Sequence, residues 1–279
     1  MLRRAASRHR LVLAALALAA AALPVLTAAS PAAASPAAAA QPVISYVALG
    51  DSYSSGVGAG SYDSASGSCD RSANAYPALW AAANGAASYV SEACSGATTG
   101  SVISSQLAVL SSATTLVSIT VGGNDVGFSS VMETCVLHST STCVSAVTTA
   151  ESEISSALPG EMDSVLAAIS AHAPNARVVV LGYPHLYDLS KSSSCLGLST
   201  TDRTDLNAAA DELDGAIQAA AQRHGDVFAD VRTAFAGHEI CDSGSWLHSV
   251  DLFNLAVSYH PTAAGQSGGY YPVFSANAG

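Results

Sequence analysis

VISYVAL at residues 43–49 runs directly into GDSYSSG at residues 50–56. A short apolar, β-branched run that ends in a glycine, an acid and a cluster of serines reads as a strand delivering the chain into a sharp turn and a helix start. The same kind of run recurs at wide spacing: SYVSEA at 88–93, LVSITVG at 116–122, RVVVLGY at 177–183 and DVFADV at 226–231. Between these runs lie stretches of helical composition. AYPALWAAA follows the first loop, TTGSVISSQLAVL the second, and a long segment from about Val144 to Ala171 carries Ile154, Leu158, Val165, Leu166 and Ile169. The clearest helix is TDRTDLNAAADELDGAIQAAAQRHG, with Leu206, Leu213 and Ile217 on one face and Gly225 as its stop. Strands alternating with helices of this length need crossover connections, and right-handed crossovers place helices on both faces of a parallel sheet. The expected architecture is a three-layer α/β/α sandwich with a central parallel sheet.

The chain of 279 residues opens MLRRAASRHR and continues LVLAALALAAAALPVL, then an Ala/Pro/Ser tail. A basic start, an apolar middle and small residues make the pattern of a signal peptide, expected over 1–40 with cleavage between Ala32 and Ala40. Pro24 and the tail from Thr27 to Ala40 interrupt the run short of the ~20 apolar residues of a membrane span, so no stable membrane anchor is expected. Residues 41–279 are expected to form one domain, because no linker divides them. Four of the ten basic residues and none of the 21 acidic ones lie in 1–40, which leaves six against 21, a formal charge of −15. That balance and the absence of any basic run exclude nucleic acid as a partner and suit a soluble monomer. All six cysteines fall in the later part, and an exported chain meets an oxidising environment. Fifteen connectivities are open. Nearest-neighbour pairing, Cys69 with Cys94, Cys135 with Cys143 and Cys195 with Cys241, closes the shortest loops and is the expected one. Wide spacings and the lack of CxxC disfavour a metal site, and no cofactor is expected.

Ligands of an open parallel sheet bind outside the carboxyl ends of its strands. After the first strand comes GDSYSSG, after the second ACSGATT, after the third GGNDVGF and after the fourth YPHLY. Ser52, two residues past Gly50 at a helix start, offers a hydroxyl and an unpaired amide on the same side; as one of many serines in a loop it is equally a solvated residue. Among the histidines, His9 leaves with the leader, His138, His172 and His224 sit in ordinary surface positions, and His185, His238 and His248 are harder to dismiss. His260 in SYHPT stands out, because Pro261 opens the next segment and leaves the ring at the sheet edge. Gly96 allows close backbone approach and Asn124 supplies a side-chain N–H. Each also has a bland use, a chain turn for Gly96 and a self-closed turn for Asn124. Together with Ser52 they form a set suited to holding a developing oxyanion.

GDSYSSG, the glycine of ACSGATT, GGND and the late YHPT resemble, in order and across nearly the whole of 41–279, the four signature blocks of the SGNH (GDSL-type) hydrolase superfamily. The fuller phrases NAYPALWAAA, VSITVGGNDVGF, PNARVVVLGYP and SYHPTAAGQ, with six cysteines, are similar to its secreted Streptomyces lipases and esterases. The resemblance implies a flavodoxin-like sheet and a secreted carboxylic ester hydrolase. It implies Ser52 as nucleophile, His260 as general base, and an oxyanion hole from the Ser52 amide, the Gly96 amide and the Asn124 side chain, with an ester or lipid as substrate. The family commonly has aspartate three residues before the histidine, where this chain has Val257. A dyad oriented by a main-chain oxygen near Val257 is therefore expected, with Asp251 as the fallback third member.

Two other readings compete for these loops. GQSGG at 265–269 matches the GxSxG elbow formally, yet no Asp, Glu or His follows Ser267, so no later triad partners exist. A phosphate-binding loop needs a lysine after its glycines, and Lys191 is the only lysine; Ser61 also occupies the third glycine position of GxGxxG. Rival functions are a carbohydrate (acetyl) esterase and a non-catalytic secreted binding protein on the same scaffold. Apolar lining from Phe128, Tyr183, Leu186, Phe253 and Leu255 favours medium or long acyl chains.

Overall fold

The structure, a computed structural model, describes residues 43–191, 195 and 197–279; the segment read as a signal peptide lies outside the described residues. Each of the five apolar runs forms a strand: β1 (Ser45–Gly50), β2 (Ser88–Ser91), β3 (Leu116–Thr120), β4 (Arg177–Leu181) and β5 (Val227–Ala229). They make one sheet in the order 2-1-3-4-5 with every pairing parallel. The chain steps outward from β1 to β2, then returns past β1 to β3 and continues the other way. The reversal opens a crevice at the carboxyl ends of β1 and β3, where doubly wound sheets bind ligands.

The helices are α1 (Ser52–Ser55), α2 (Tyr76–Ala83), α3 (Thr99–Ser101), α4 (Phe128–Leu137), α5 (Thr140–Ser156), α6 (Leu158–His172), α7 (Thr200–His224), α8 (Arg232–Phe235) and α9 (Tyr271–Asn277). On one face of the sheet α2 packs with α9 and the turns before it, around Tyr46, Tyr76, Trp80, Tyr270 and Phe274, whose rings meet edge-on or stacked at 5.3–5.5 Å. On the other, α6 and α7 cover the sheet with Leu158, Met162, Leu166, Ile169 and Ile217, all fully buried, and α5 packs across them. The long helical segment read from Val144 is two helices. Pro159 lies in the first turn of α6, where its missing N–H is tolerated, and it cannot continue the ladder of α5. α7 matches its reading: Ser199 caps it through a reciprocal bond with Asp202, and Gly225 ends it in the left-handed conformation.

The cysteines are joined 69–94, 135–143 and 195–241, the pairing expected from loop length. The first bridge holds the loop after β2, and the second ties the end of α4 to α5.

Candidate active site

The site is assembled where β1 ends. Gly50 has φ +113°, and a Cβ there would lie 2.2 Å from the Thr120 carbonyl oxygen of β3, so only glycine lets β1 turn this close to its neighbour. Asp51 then caps α1. Its Oδ1 accepts from the Tyr53 amide (3.0 Å) and from Thr120 Oγ1 (2.6 Å), and its Oδ2 accepts from Tyr183 Oη (2.5 Å). Burial raises the Asp51 carboxyl to about 6, against the pull of these three donors. The Gln106 side chain donates to the Gly50 carbonyl and accepts from its amide, closing the other side of the turn. Ser52, 7% exposed, is thereby held rigidly at the first position of α1.

Ser52 Oγ lies 2.7 Å from His260 Nε2. The other ring nitrogen, Nδ1, lies 3.0 Å from the carbonyl oxygen of Ser258. That contact depends on local backbone strain. Tyr259 takes φ +65°, sparsely populated for an aromatic residue, and is pinned there by its carbonyl accepting from Tyr53 Oη (2.7 Å) and its amide donating to the His248 carbonyl (2.9 Å). The His260 amide donates to the Val257 carbonyl (3.1 Å). The ring also packs on Tyr53 at 5.3 Å. Burial lowers its pKa to about 4; the nearby His248 pushes the same way, and the Ser258 and Val257 carbonyls oppose it.

Asp251 is employed elsewhere. Its Oδ1 accepts from the amides of Phe253 (2.9 Å) and Asn254 (3.1 Å), and its own amide donates to Ser258 Oγ (2.9 Å). It shapes the loop before His260 and makes no bond to the ring. Four other histidines are engaged away from the serine: His185 and His224 face Asp211 and Asp163, His238 stacks on Trp246 at 3.7 Å, and His248 Nε2 meets the Gly58 carbonyl.

Gly96 sits at φ +77°, a conformation that favours glycine. Among the described residues, neither its amide nor that of Ser52 takes a protein acceptor. Asn124 Nδ2 donates to the Ala97 carbonyl (3.0 Å), which leaves its second hydrogen unused by that bond. The two loops are locked together by Asp125, whose carboxylate accepts from the Thr99 amide (3.0 Å) and Thr99 Oγ1 (2.6 Å). Desolvation raises the Asp125 carboxyl while these bonds lower it, with a net rise.

Two cavities meet at this centre. An open cleft of about 490 Å³ is lined by Ser52, Gly96, Asn124 and His260 at its floor and by Leu137, Leu252 and Leu255 toward its mouth. A narrow slot of about 60 Å³ shares Ser52, Asn124 and His260 and runs between helices past Val147, Ala150, Ile154, Leu206, Ala209 and Leu213. Of the apolar residues read as lining, Phe128, Tyr183 and Leu186 face the slot and Leu255 faces the cleft. Phe253 lines neither; it is fully exposed, because the Asp251 turn projects it outward.

Several residues that set this geometry carried no readable signal. Ser258 contributes a main-chain oxygen, which is independent of residue type. Asp51 and Asp125 look like ordinary loop residues until the loops converge, and Tyr183, read only as apolar lining, also works through its hydroxyl on Asp51. Gln266, the glutamine of the GQSGG match, is buried, accepting from the Tyr76 amide and donating to the Tyr53 carbonyl, while Ser267 is exposed in a helical turn with no strand before it.

A parallel α/β sandwich with a hydrogen-bonded serine and histidine at its carboxyl edge has the layout of an ester hydrolase. The model of the GDSL-like lipase/acylhydrolase family matches residues 48–267, and the chain belongs to that family. It is 56% identical over 238 residues to Lipase 1 of Streptomyces coelicolor, covering 85% of this chain and 88% of the relative. Its fold matches the crystal structure of phospholipase A1 from Streptomyces albidoflavus NA297 with a TM-score of 0.83 at 55% identity, covering 85% of this chain and 100% of the other. It likewise matches an extracellular lipase from Streptomyces rimosus with a TM-score of 0.82 at 53% identity, covering 84% and 99%. The protein is a carboxylic ester hydrolase.

Proposed function

We propose that the chain is an exported lipid-ester hydrolase working through a Ser52/His260 dyad. His260 Nε2 accepts the Ser52 proton as Oγ attacks the ester carbonyl carbon. The carbonyl π electrons move onto oxygen, and the oxyanion is met by the Ser52 and Gly96 amides and Asn124 Nδ2. Collapse breaks the bond to the alcohol oxygen, which takes the proton from His260 and departs. Water then attacks the acyl carbon as the same ring takes its proton, and collapse breaks the bond to Ser52 Oγ, which recovers the proton from His260 as the acid departs. The Ser258 carbonyl accepts the Nδ1 hydrogen and so fixes the tautomer with Nε2 free as base; being neutral, it orients the ring without supplying a full charge to the imidazolium. The observation that carries this reading is the 2.7 Å bond between Ser52 and His260 at the junction of two cavities.

The slot supports a long acyl substrate. Its apolar, helix-borne lining suits an alkyl chain better than a polar group. At about 60 Å³ the slot must widen to admit more than the first methylenes, and the wider cleft is left for the alcohol portion. The relatives named as lipases and a phospholipase A1 agree with such a substrate. Export is supported by the leader-like sequence of 1–40, by three disulfides in the remainder, and by the extracellular relative.

A fluorophosphonate is expected to label Ser52 alone, as shown by peptide mass mapping; an unlabelled serine would overturn the mechanism and favour a binding protein. Asp251→Asn is expected to keep kcat within about threefold, since the turn's acceptor oxygen survives and the ring never touched it. A loss comparable to that of the serine variant would make Asp251 a true third member. Ala209→Phe, which fills the slot, is expected to lower kcat/KM for p-nitrophenyl laurate roughly tenfold or more while the acetate ester changes little. Equal losses on both esters would place the acyl chain elsewhere.

A further inference from the structure

Apolar exposure on this molecule is concentrated around the mouth of the cleft. Among the described residues, ten large hydrophobic side chains are exposed. Five of them, Tyr62, Val90, Ile103, Val109 and Leu189, lie between 38% and 42% exposure, the scatter any soluble surface shows. Four of the other five belong to one rim: Leu137 at 64%, Leu252 at 76%, Phe253 at 103% and Leu255 at 67%. Leu137, Leu252 and Leu255 line the same cleft as Ser52 and His260, and the fully exposed Phe253 follows Leu252 in the chain, two residues before Leu255. Contiguous apolar exposure at the entrance to a cavity marks an interaction surface.

Both lips are held in place. Leu137 ends α4, which the Cys135–Cys143 bridge fastens to α5. On the opposite lip the Asp251 carboxylate takes the amides of Phe253 and Asn254, so the backbone is fixed while the Phe253 ring points into solvent. The charge of the rim limits what can cover it. Among the described residues the only ionisable ones that line the cleft are Glu133, Tyr259 and His260, with no lysine or arginine, and Asp251 adds a second carboxylate two residues before Phe253. An anionic surface would be repelled, whereas a neutral or zwitterionic one meets no penalty.

We infer that Leu137, Leu252, Phe253 and Leu255 form a lip that seats on the surface of a neutral or zwitterionic lipid aggregate, so that the ester passes from that surface into the cleft. No helix of the described residues is long and apolar enough to cross a membrane, and the lip dips into the interface without spanning it.

The inference is tested apart from catalysis by measuring vesicle binding of the inactive Ser52→Ala protein. Co-sedimentation with phosphatidylcholine vesicles is expected to be saturable, and adding Phe253→Ser is expected to weaken it roughly tenfold or more, the loss of one fully exposed aromatic ring from the interface. Replacing a third of the lipid with phosphatidylserine is expected to weaken binding further. In the otherwise native enzyme, Phe253→Ser is expected to leave kcat/KM for monomeric p-nitrophenyl butyrate unchanged while lowering the rate on emulsified long-chain ester. Phe253→Trp gives a second readout: an emission blue shift and quenching by brominated phosphatidylcholine. No binding by the Ser52→Ala protein, unchanged binding after Phe253→Ser, equal loss on the monomeric ester, or a dimer abolished by Phe253→Ser would each overturn the assignment.

Discussion

Ser52→Ala and His260→Ala are each expected to lower kcat/KM for a p-nitrophenyl ester by about 10⁴-fold or more, and Ser52→Ala to do so while leaving the circular dichroism spectrum and thermal midpoint nearly unchanged. The serine hydroxyl bonds only to the imidazole, and the network that builds the turn runs through Asp51, Thr120, Tyr183 and Gln106 instead. Removing Oγ therefore removes the proposed nucleophile and spares the fold. The double variant should be no worse than either single one, because the two groups act as a unit. The same ring sets the acid limb of the pH profile. With its pKa lowered to about 4, His260 stays neutral as pH falls through the ordinary histidine range, so kcat/KM should persist at pH 5 and be lost only on approaching pH 4. Stability follows the matching sign. The unfolded chain protonates this histidine near pH 6.5 and the native state resists until about 4, so the ring's contribution is complete above 6.5 and is lost as pH falls between those values. An acid limb centred at pH 6.5 would mean that the ring is more open to water than its surroundings imply.

Asn124→Ala is expected to lower kcat about 10²- to 10³-fold with KM little changed, the signature of a donor used mainly in the transition state. The loop should survive the substitution, since Asp125 keeps it tied to Thr99 through the amide and the hydroxyl. Asn124→Asp should be at least as damaging, because it would replace a donor by a carboxylate beside the oxyanion proposed to form there. A fall confined to KM would assign Asn124 to ground-state binding. Unchanged kcat would remove it from the oxyanion hole and leave the two backbone amides to hold the charge.

The legible part of this protein was the part written in local pattern. Five β-branched runs separated by helical segments are sufficient for a parallel sheet, and each run became a strand. Ser52, Gly96, Asn124 and His260 stood out because each follows a strand or precedes a proline in a loop, where a side chain is presented rather than packed. Val257 marked a departure from the family's usual acid, and a departure is visible in sequence even when its replacement is not. The lining was read less well. Phe253 looked like a pocket residue by composition, yet the two amides capped by Asp251 turn it outward, and only the folded loop decides which way an apolar side chain faces.

By itself the sequence determined the fold class and which loops end at the carboxyl edge of the sheet, because alternation and chain reach are local properties; among fifteen cysteine pairings it only favoured the one that closes the shortest loops. Tertiary structure alone decided that the Ser258 carbonyl is the oxygen behind His260, since a main-chain group has no residue identity and its aim depends on the left-handed backbone at Tyr259. It alone decided that Asp51 serves the turn through Tyr183, 132 residues away in the chain, because that bond exists only once β1 and β4 lie in one sheet. It also decided that the space beside Ser52 divides into a narrow slot and a wider cleft, a result of how α4, α5 and α7 pack and where their small residues fall.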